Sequence, residues 1–310
     1  MLPIPLSWHV IINPNTFTQK NRDVWHNLKQ KLKLRQYVFS EFFSPSKSDC
    51  EQIINQSITQ GQTNFVVVGG DGTFNEVVNA ILKNENTSSE KFTLALIPTG
   101  TGNDWARMHH ISTDISQLES MFLNGRIITH DLGEVVVKND YDITKRYFVN
   151  IAGLAFDAEV ILRMNKSSHL KKGNKILYLK NLFLSLVSHK TIPCTIELEG
   201  MAFNKNVFSI AVGICKYNGG GMMQVPMADF TDGLLDMIVI EPMNIREIIT
   251  QLPKLYKGTH ISYKKVHHYR ASYVNIKPQR QMYCEVEGEI AGAGVFEIKS
   301  CPFKINVLLP

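Results

Sequence analysis

The stretch from Asn64 to Leu82 constrains the fold more than any other. Asn64–Val68 (NFVVV) is an apolar run with no polar alternation, and it leads straight into Gly69-Gly70-Asp71-Gly72-Thr73. Val77, Val78 and Ile81 then recur at helical spacing. A strand without alternation is covered on both faces, as in a parallel sheet flanked by helices. Glycines between such a strand and a helix let backbone N–H groups converge on an anion beside the helix N-terminus. The plain alternative is a strand-to-helix turn that uses glycine for positive φ.

The same rhythm surrounds this unit. Trp8–Ile12 and Tyr37–Phe43 read as strands, and Val24, Trp25, Leu28 and Leu32 as the face of a helix. Ser46 and Asp49 resemble a capping box before Ile53, Ile54 and Ile58. Phe92–Ile97 is a further buried strand, ended by Pro98-Thr99-Gly100-Thr101-Gly102-Asn103-Asp104. Two Gly/Thr/Asp loops thus follow two buried strands at the edge where open α/β sheets collect ligands. After about residue 132 the pattern changes to short strands at close spacing, near 133–137, 147–151, 195–199, 207–215, 234–240, 273–276, 281–286 and 295–298. Helical patterns interrupt it near 158–188 and 245–257. The expected fold is an α/β domain with a parallel sheet (residues 1–133), then a mostly antiparallel β-sandwich domain (134–310). Whether the final segment returns to the first domain stays open.

Charge adds a second constraint. The 310 residues carry 33 Lys+Arg and 28 Asp+Glu, for a net +5. Residues 161–190 and 251–280 each hold seven bases and no acid, so the remaining 250 residues carry a net −9. Two basic, partly apolar stretches on an acidic body suit an anionic partner, or else form solvated faces. No run approaches the length of a transmembrane helix, and MLPIPLSWHVIINPN lacks the basic start of a signal peptide. Five scattered cysteines without a CxxC pair indicate neither a disulfide framework nor a zinc site. The expectation is a soluble cytoplasmic protein. The adjacent pairs His109-His110 and His267-His268 lack metal-site spacing and read as structural or surface residues. Met222, Met223 and Met227 beside Gly219-Gly220-Gly221 suit flexible packing or an adaptable wall for an acyl chain.

Neither GxGxxG nor GxxxxGK[ST] occurs. Asn13-Pro14, GGDGTFNEVVNAI from Gly69 and PTGTGNDWAR from Pro98 instead resemble the diacylglycerol kinase catalytic domain family. FVNIAGLAFDAEV from Phe148, GGGMMQVPMADFTDGLLDMIVI from Gly219 and EVEGE from Glu285 continue the resemblance over nearly the whole chain. GGDGT alone is shared with NAD kinases; the long PTGTGNDWAR and GGGMMQVPMADFTDG matches favour a lipid kinase. The resemblance implies an ATP- and Mg²⁺-dependent transfer of phosphate to a lipid hydroxyl, most simply diacylglycerol to phosphatidate, in a cleft between two domains. It places Asn13, Ser44, Gly69, Gly70, Asp71, Gly72, Thr73, Phe74, Asn75, Thr101, Asn103 and Asp104 at ATP, with Asp71 also near the catalytic Mg²⁺. It implies a structural Mg²⁺ held by Asp229, Asp232 and the Leu234 carbonyl.

Two departures stand out. Relatives carry a glycine soon after Asn-Pro, whereas this chain reads Asn13-Pro14-Asn15-Thr16-Phe17. Relatives carry Asp-Gly-Glu near the C-terminus, and here the segment is Glu287-Gly288-Glu289. Glu289 is the first candidate for general base and Glu287 the second; an added methylene moves a carboxylate by about one C–C bond, which matters where geometry is demanding. The expected partner is a lipid at an anionic membrane surface, visited peripherally. No nucleic-acid partner is expected, and a homodimer is left open. The competing readings are a kinase of another acceptor, such as a sphingoid base, and a nucleotide- or lipid-binding regulator with weakened catalysis.

Overall fold

The computed structural model describes residues 4–84, 89–166, 184–186 and 188–310. The chain divides into two compact units, residues 1–132 with 302–310, and residues 133–301. Most of the first basic stretch, and the helical pattern expected beyond residue 166, lies outside the described residues.

The first unit contains β1 (Ser7–Ile12), α1 (Gln19–Lys33), β2 (Val38–Phe43), α2 (Lys47–Thr59), β3 (Asn64–Gly69), α3 (Asp71–Leu82), β4 (Thr93–Pro98), α4 (Asp104–Met108), α5 (Ile115–Asn124) and β5 (Arg126–His130). Its sheet has the order β2-β1-β3-β4-β20-β5, where β20 is Ile305–Leu309. Every pairing is parallel up to β20, and β5 joins antiparallel. The sheet is therefore mixed, with an antiparallel edge that periodicity does not show. The core lies on β3 and β4, whose side chains are buried almost without exception. Trp25, Leu28 and Leu32 of α1 and Phe74, Val77, Val78 and Ile81 of α3 cover the sheet.

The second unit is two antiparallel six-stranded sheets. One has the order β10-β9-β16-β19-β6-β7, built from β6 (Gly133–Lys138), β7 (Ile143–Phe148), β9 (Ile192–Leu198), β10 (Met201–Val207), β16 (Tyr273–Pro278) and β19 (Val295–Ser300). The other has the order β15-β14-β11-β8-β17-β18, built from β8 (Ile151–Ala155), β11 (Ser209–Gly213), β14 (Leu235–Ile240), β15 (Val266–Ala271), β17 (Tyr283–Val286) and β18 (Glu289–Ala293). A short ribbon, β12 (Tyr217–Asn218) with β13 (Met222–Met223), and the helices α6 (Phe156–Lys166) and α7 (Ile245–Lys257) complete it. The sheets form a β-sandwich-like unit, as expected. One expected strand is corrected. Residues 147–151 are not continuous, because β7 stops at Phe148 and β8 starts at Ile151. The amides of Val149 and Asn150, freed from the ladders, donate to Oε1 of Glu287 at 3.1 and 2.7 Å.

Candidate active site

In the first unit the parallel order brings four strand ends to one edge. Asn13 follows β1, Ser44 follows β2, Gly69–Thr73 follows β3 and Pro98–Asp104 follows β4. Asn13 Nδ2 donates to Thr73 Oγ1 at 2.8 Å, and Thr16 Oγ1 lies 2.9 Å from Thr99 Oγ1. The loop that lacks the usual glycine is thus tied to both Gly-rich loops. Ser44 is buried and donates to its own loop at the Ser46 carbonyl, 3.1 Å away, which leaves its hydroxyl turned inward. Thr101 is exposed.

The glycines do not serve positive φ here; Gly70 has φ −104°. A Cβ on Gly100 would lie 2.6 Å from the Gly70 Cα, so the two loops pass at backbone contact. The positive φ of this edge belongs to Asn103 (φ 50°), whose Nδ2 donates to the Gly100 carbonyl at 2.9 Å. Asp71 fixes the same approach. Its carboxylate accepts the amides of Asp104 (2.9 Å) and Trp105 (3.0 Å), two first-turn donors of α4 that no helical carbonyl satisfies. The Phe74 ring stacks on Trp105 at 4.2 Å. Asp71 is therefore a clamp between loops as well as an acid at the site.

Two facts bear on ligands. Space above Gly72, in the first turn of α3, is open, and Asn75 Oδ1 one turn on has no hydrogen-bond partner. Asp71 Oδ2 and Asp104 Oδ2 also converge over Gly102, at 3.4 and 3.5 Å from where its Cβ would stand. Burial, aided by the charge of Asp104, pushes the Asp71 carboxyl above its ordinary value against the pull of its amide bonds. Arg107 Nε, 3.6 Å from Asp104 Oδ1, offsets part of this charge, and a phosphate at the N-terminus of α3 would need a further cation between it and the two carboxylates. Their all-oxygen donor set fits a hard divalent cation.

The residues expected to hold a second, structural Mg²⁺ do not fit one. Asp229 Oδ1 accepts the amide and hydroxyl of Thr231 at 2.9 and 2.7 Å. Asp232 Oδ1 accepts the Leu234 amide at 2.9 Å, and its Oδ2 is paired with Arg270. A guanidinium already neutralises the carboxylate that the cation would need. The segment is an Asx-turn ladder closed by an ion pair.

In the second unit the C-terminal acids are arranged around a tight hairpin. Glu287 (φ 51°) and Gly288 (φ 80°) form the two-residue connection of β17 and β18, and both have left-handed backbone. Glu285 Oε2 accepts the Gly288 amide at 2.7 Å and pins the turn. Glu287 is held on the Val149 and Asn150 amides, and Glu289 is exposed.

Glu285 is a buried acid at the cavity that the motif reading quoted but gave no role. It is 2% exposed, and burial, with the Asp157 charge, pushes its carboxyl up to about 8. Asp157, at the start of α6, is pushed up to about 6 by burial, although it accepts Ser209 Oγ (3.1 Å) and Gln224 Nε2 (2.7 Å). Both acids border a mostly apolar cavity of about 320 Å³ walled by α6, β11, β14 and α7, whose polar lining also includes Asn218, Gln224 and Gln251. Val160, Met164, Phe208, Met222 and Leu255 contribute apolar lining, and His260, kept neutral by burial, sits in the wall. Of the three methionines, Met222 lines the cavity and Met227 is exposed. Of the histidine pairs, His109 packs on Trp105, His110 is exposed, and His267 and His268 bond to Glu241 and Asp236. The sequence signal for Glu285 and Asp157 was an acid inside an apolar strand or helix start, which burial alone makes costly.

Comparison with known proteins identifies both units. A profile described as diacylglycerol kinase catalytic domain matches residues 7–135. A second, described as YegS C-terminal NAD kinase beta sandwich-like domain, matches residues 150–309. The chain belongs to the YegS C-terminal NAD kinase beta sandwich-like domain family, here joined to a diacylglycerol kinase catalytic domain. A diacylglycerol kinase of Bacillus subtilis is 26% identical over 302 residues, 97% of this chain and 95% of its own length. One of Staphylococcus carnosus is 25% identical over 91% of this chain and 88% of its own. A crystal structure of a putative diacylglycerol kinase from Bacillus anthracis shares the fold, with TM-score 0.75 at 18% identity, covering 98% of this chain and 97% of that one. Yeast NADH kinase shares it more distantly, with TM-score 0.58 at 12% identity, covering 99% of this chain and 84% of that one. Members of this family are kinases, and kinase chemistry implies a nucleotide donor.

Proposed function

We propose that the protein is an ATP- and Mg²⁺-dependent lipid kinase that phosphorylates the free hydroxyl of diacylglycerol. The mostly apolar cavity of the second unit carries the reading, because its acidic border at Asp157 and Glu285 suits a hydroxyl-bearing head on a hydrocarbon chain. A nucleotide kinase would gain nothing from such a wall, since its acceptor is polar throughout.

Phosphoryl transfer needs position and charge compensation more than covalent help. The loop Gly69–Thr73 and the first turn of α3 would receive phosphate oxygens, with the Asn75 side chain within reach. Asp71 and Asp104 would hold Mg²⁺, which offsets the charge of the transferring group. Glu289 takes the hydroxyl proton in this reading. Glu287, tied to two backbone amides, orients the turn, and Glu285 pins it through Gly288. The acceptor hydroxyl is polarised where the lipid head meets Asp157 and its Ser209 and Gln224 partners. The diacylglycerol kinase names of the Bacillus subtilis and Staphylococcus carnosus relatives support the same acceptor. The test is turnover of labelled ATP with a panel of diacylglycerol, monoacylglycerol and sphingoid base, read by product mass. Labelled phosphatidate is expected; sole labelling of the sphingoid base would replace diacylglycerol as the acceptor.

A further inference from the structure

Helix α7 has an unusual exposure pattern. It begins with a complete capping box, in which Asn244 accepts the Glu247 amide (3.0 Å) and Glu247 accepts the Asn244 amide (2.8 Å), and it ends at Gly258 in the left-handed region. Thirteen residues are helical, with Pro253 inside the helix, yet none is buried. Ile245, Ile249, Leu252 and Tyr256 are 41%, 62%, 41% and 51% exposed. Their i, i+4, i+7, i+11 spacing makes one stripe along the helix. A water-facing helix of a soluble fold carries polar residues on that side.

Charge flanks the stripe with one sign. Arg246, Lys254 and Lys257 are exposed on the same helix, and Lys264 follows shortly after it. The single acid, Glu247, is turned into its own fold, accepting the Tyr263 hydroxyl (2.7 Å) and Lys265 Nζ (2.9 Å) besides its capping amide. An apolar stripe bordered by cations fits the headgroup layer of an anionic bilayer, where apolar side chains enter the acyl boundary and lysines meet lipid phosphates.

The stripe is also continuous with the cavity. Ile249 and Leu252 belong to both, while Ile248, Gln251 and Leu255 of the same helix face the cavity interior. One helix therefore separates a chain-sized apolar cavity from an exposed apolar surface. The geometry points to α7 as an interfacial helix that docks this unit on an anionic membrane and passes an acyl chain sideways from the bilayer into the cavity. This inference rests on the cavity's taking an acyl chain, and it holds for any lipid acceptor.

Vesicle binding tests it without requiring turnover, so its failure is separable from failure of the kinase reading. The full chain is sedimented with phosphatidylglycerol–phosphatidylcholine vesicles and with phosphatidylcholine vesicles alone. The expected result is binding to the anionic vesicles that weakens with salt. The surface variant Ile245→Ser/Tyr256→Ser leaves the cavity lining untouched, and Lys254→Glu/Lys257→Glu reverses two charges. Each should keep the wild-type melting temperature within a few degrees and lower vesicle partitioning by at least about tenfold. Where the kinase is active, both variants should keep turnover on a short-chain diacylglycerol dissolved below its micellar concentration. Binding that ignores vesicle charge, or that survives both variants, would overturn the inference. So would a homodimer in solution that the Ile245/Tyr256 variant dissolves, since the stripe would then be a self-association surface.

Discussion

At the scale of single residues, burial makes the Glu285 carboxyl a source of pH-dependent stability. Its ordinary value is 4.5, and burial pushes it up to about 8. Between those values the folded chain keeps a proton that the unfolded chain releases, so stability is greatest below the window and falls as pH rises through it. Asp157 acts in the same direction over the lower part, from 3.8 to about 6, and the two acids titrate as a pair. Glu285→Gln keeps a hydrogen-bonding amide without the charge. It should raise stability at alkaline pH by up to a few kcal/mol and change little at acid pH. Thermal melts from acid to alkaline pH check this; parallel curves for the two proteins would refute it. Glu287 invites a related comparison, because its longer side chain reaches Val149 and Asn150 amides. Glu287→Gln should reduce turnover moderately, about tenfold, by loosening the turn, whereas Glu289→Gln should remove it. The reverse order would exchange the two roles.

At the scale of elements, the two Gly-rich loops act as one device because Asp71 and Gly100 hold them together. Asp71→Ala would leave the Asp104 and Trp105 amides of α4 without acceptors, at a cost of about 1–3 kcal/mol. An acid that served ligands alone would not destabilise the protein when removed, so a denaturant titration separates the two cases. Gly100→Ala places a methyl group against the Gly70 backbone. It should weaken nucleotide binding by about tenfold or more, measured by titration calorimetry, with the sheet preserved by circular dichroism. Much of this device was legible, since both loops follow apolar runs that read as buried strands. What sequence did not show was the reason for the glycines. Convergence of amides on an anion was the expectation and positive φ its alternative; the structure adds close approach between loops, a contact 30 residues apart that leaves no periodic trace. The Asp229–Leu234 turn is the opposite case. Its oxygen-rich composition suits a cation, but Arg270, 38 positions beyond Asp232, supplies the charge instead.

At the scale of the whole molecule, the last nine residues belong with the first unit, where β20 lies between β4 and β5. Ile305–Leu309 is buried throughout. Its apolar run is visible in the sequence, but its place is set by pairing with residues about 180 to 210 positions earlier, which local pattern does not carry. β5, β10 and β15 escaped notice for a different reason: they alternate with polar or charged residues on exposed faces, so no apolar run marks them. Truncation after Cys301 should therefore expose β4 and β5 and abolish cooperative unfolding of the first unit, seen as protease sensitivity of residues before 132. No helix among the described residues is long and apolar enough to cross a membrane. Phosphoryl transfer to a lipid requires both the phosphate chemistry proposed for the first unit and the lipid binding proposed for the second, so one assay tests both. Purified protein with Mg²⁺, labelled ATP and diacylglycerol should yield labelled phosphatidate, and Asp71→Ala and Glu289→Gln should each suppress it by about a thousandfold. A wild-type protein that binds ATP but labels no lipid in the panel would contradict it.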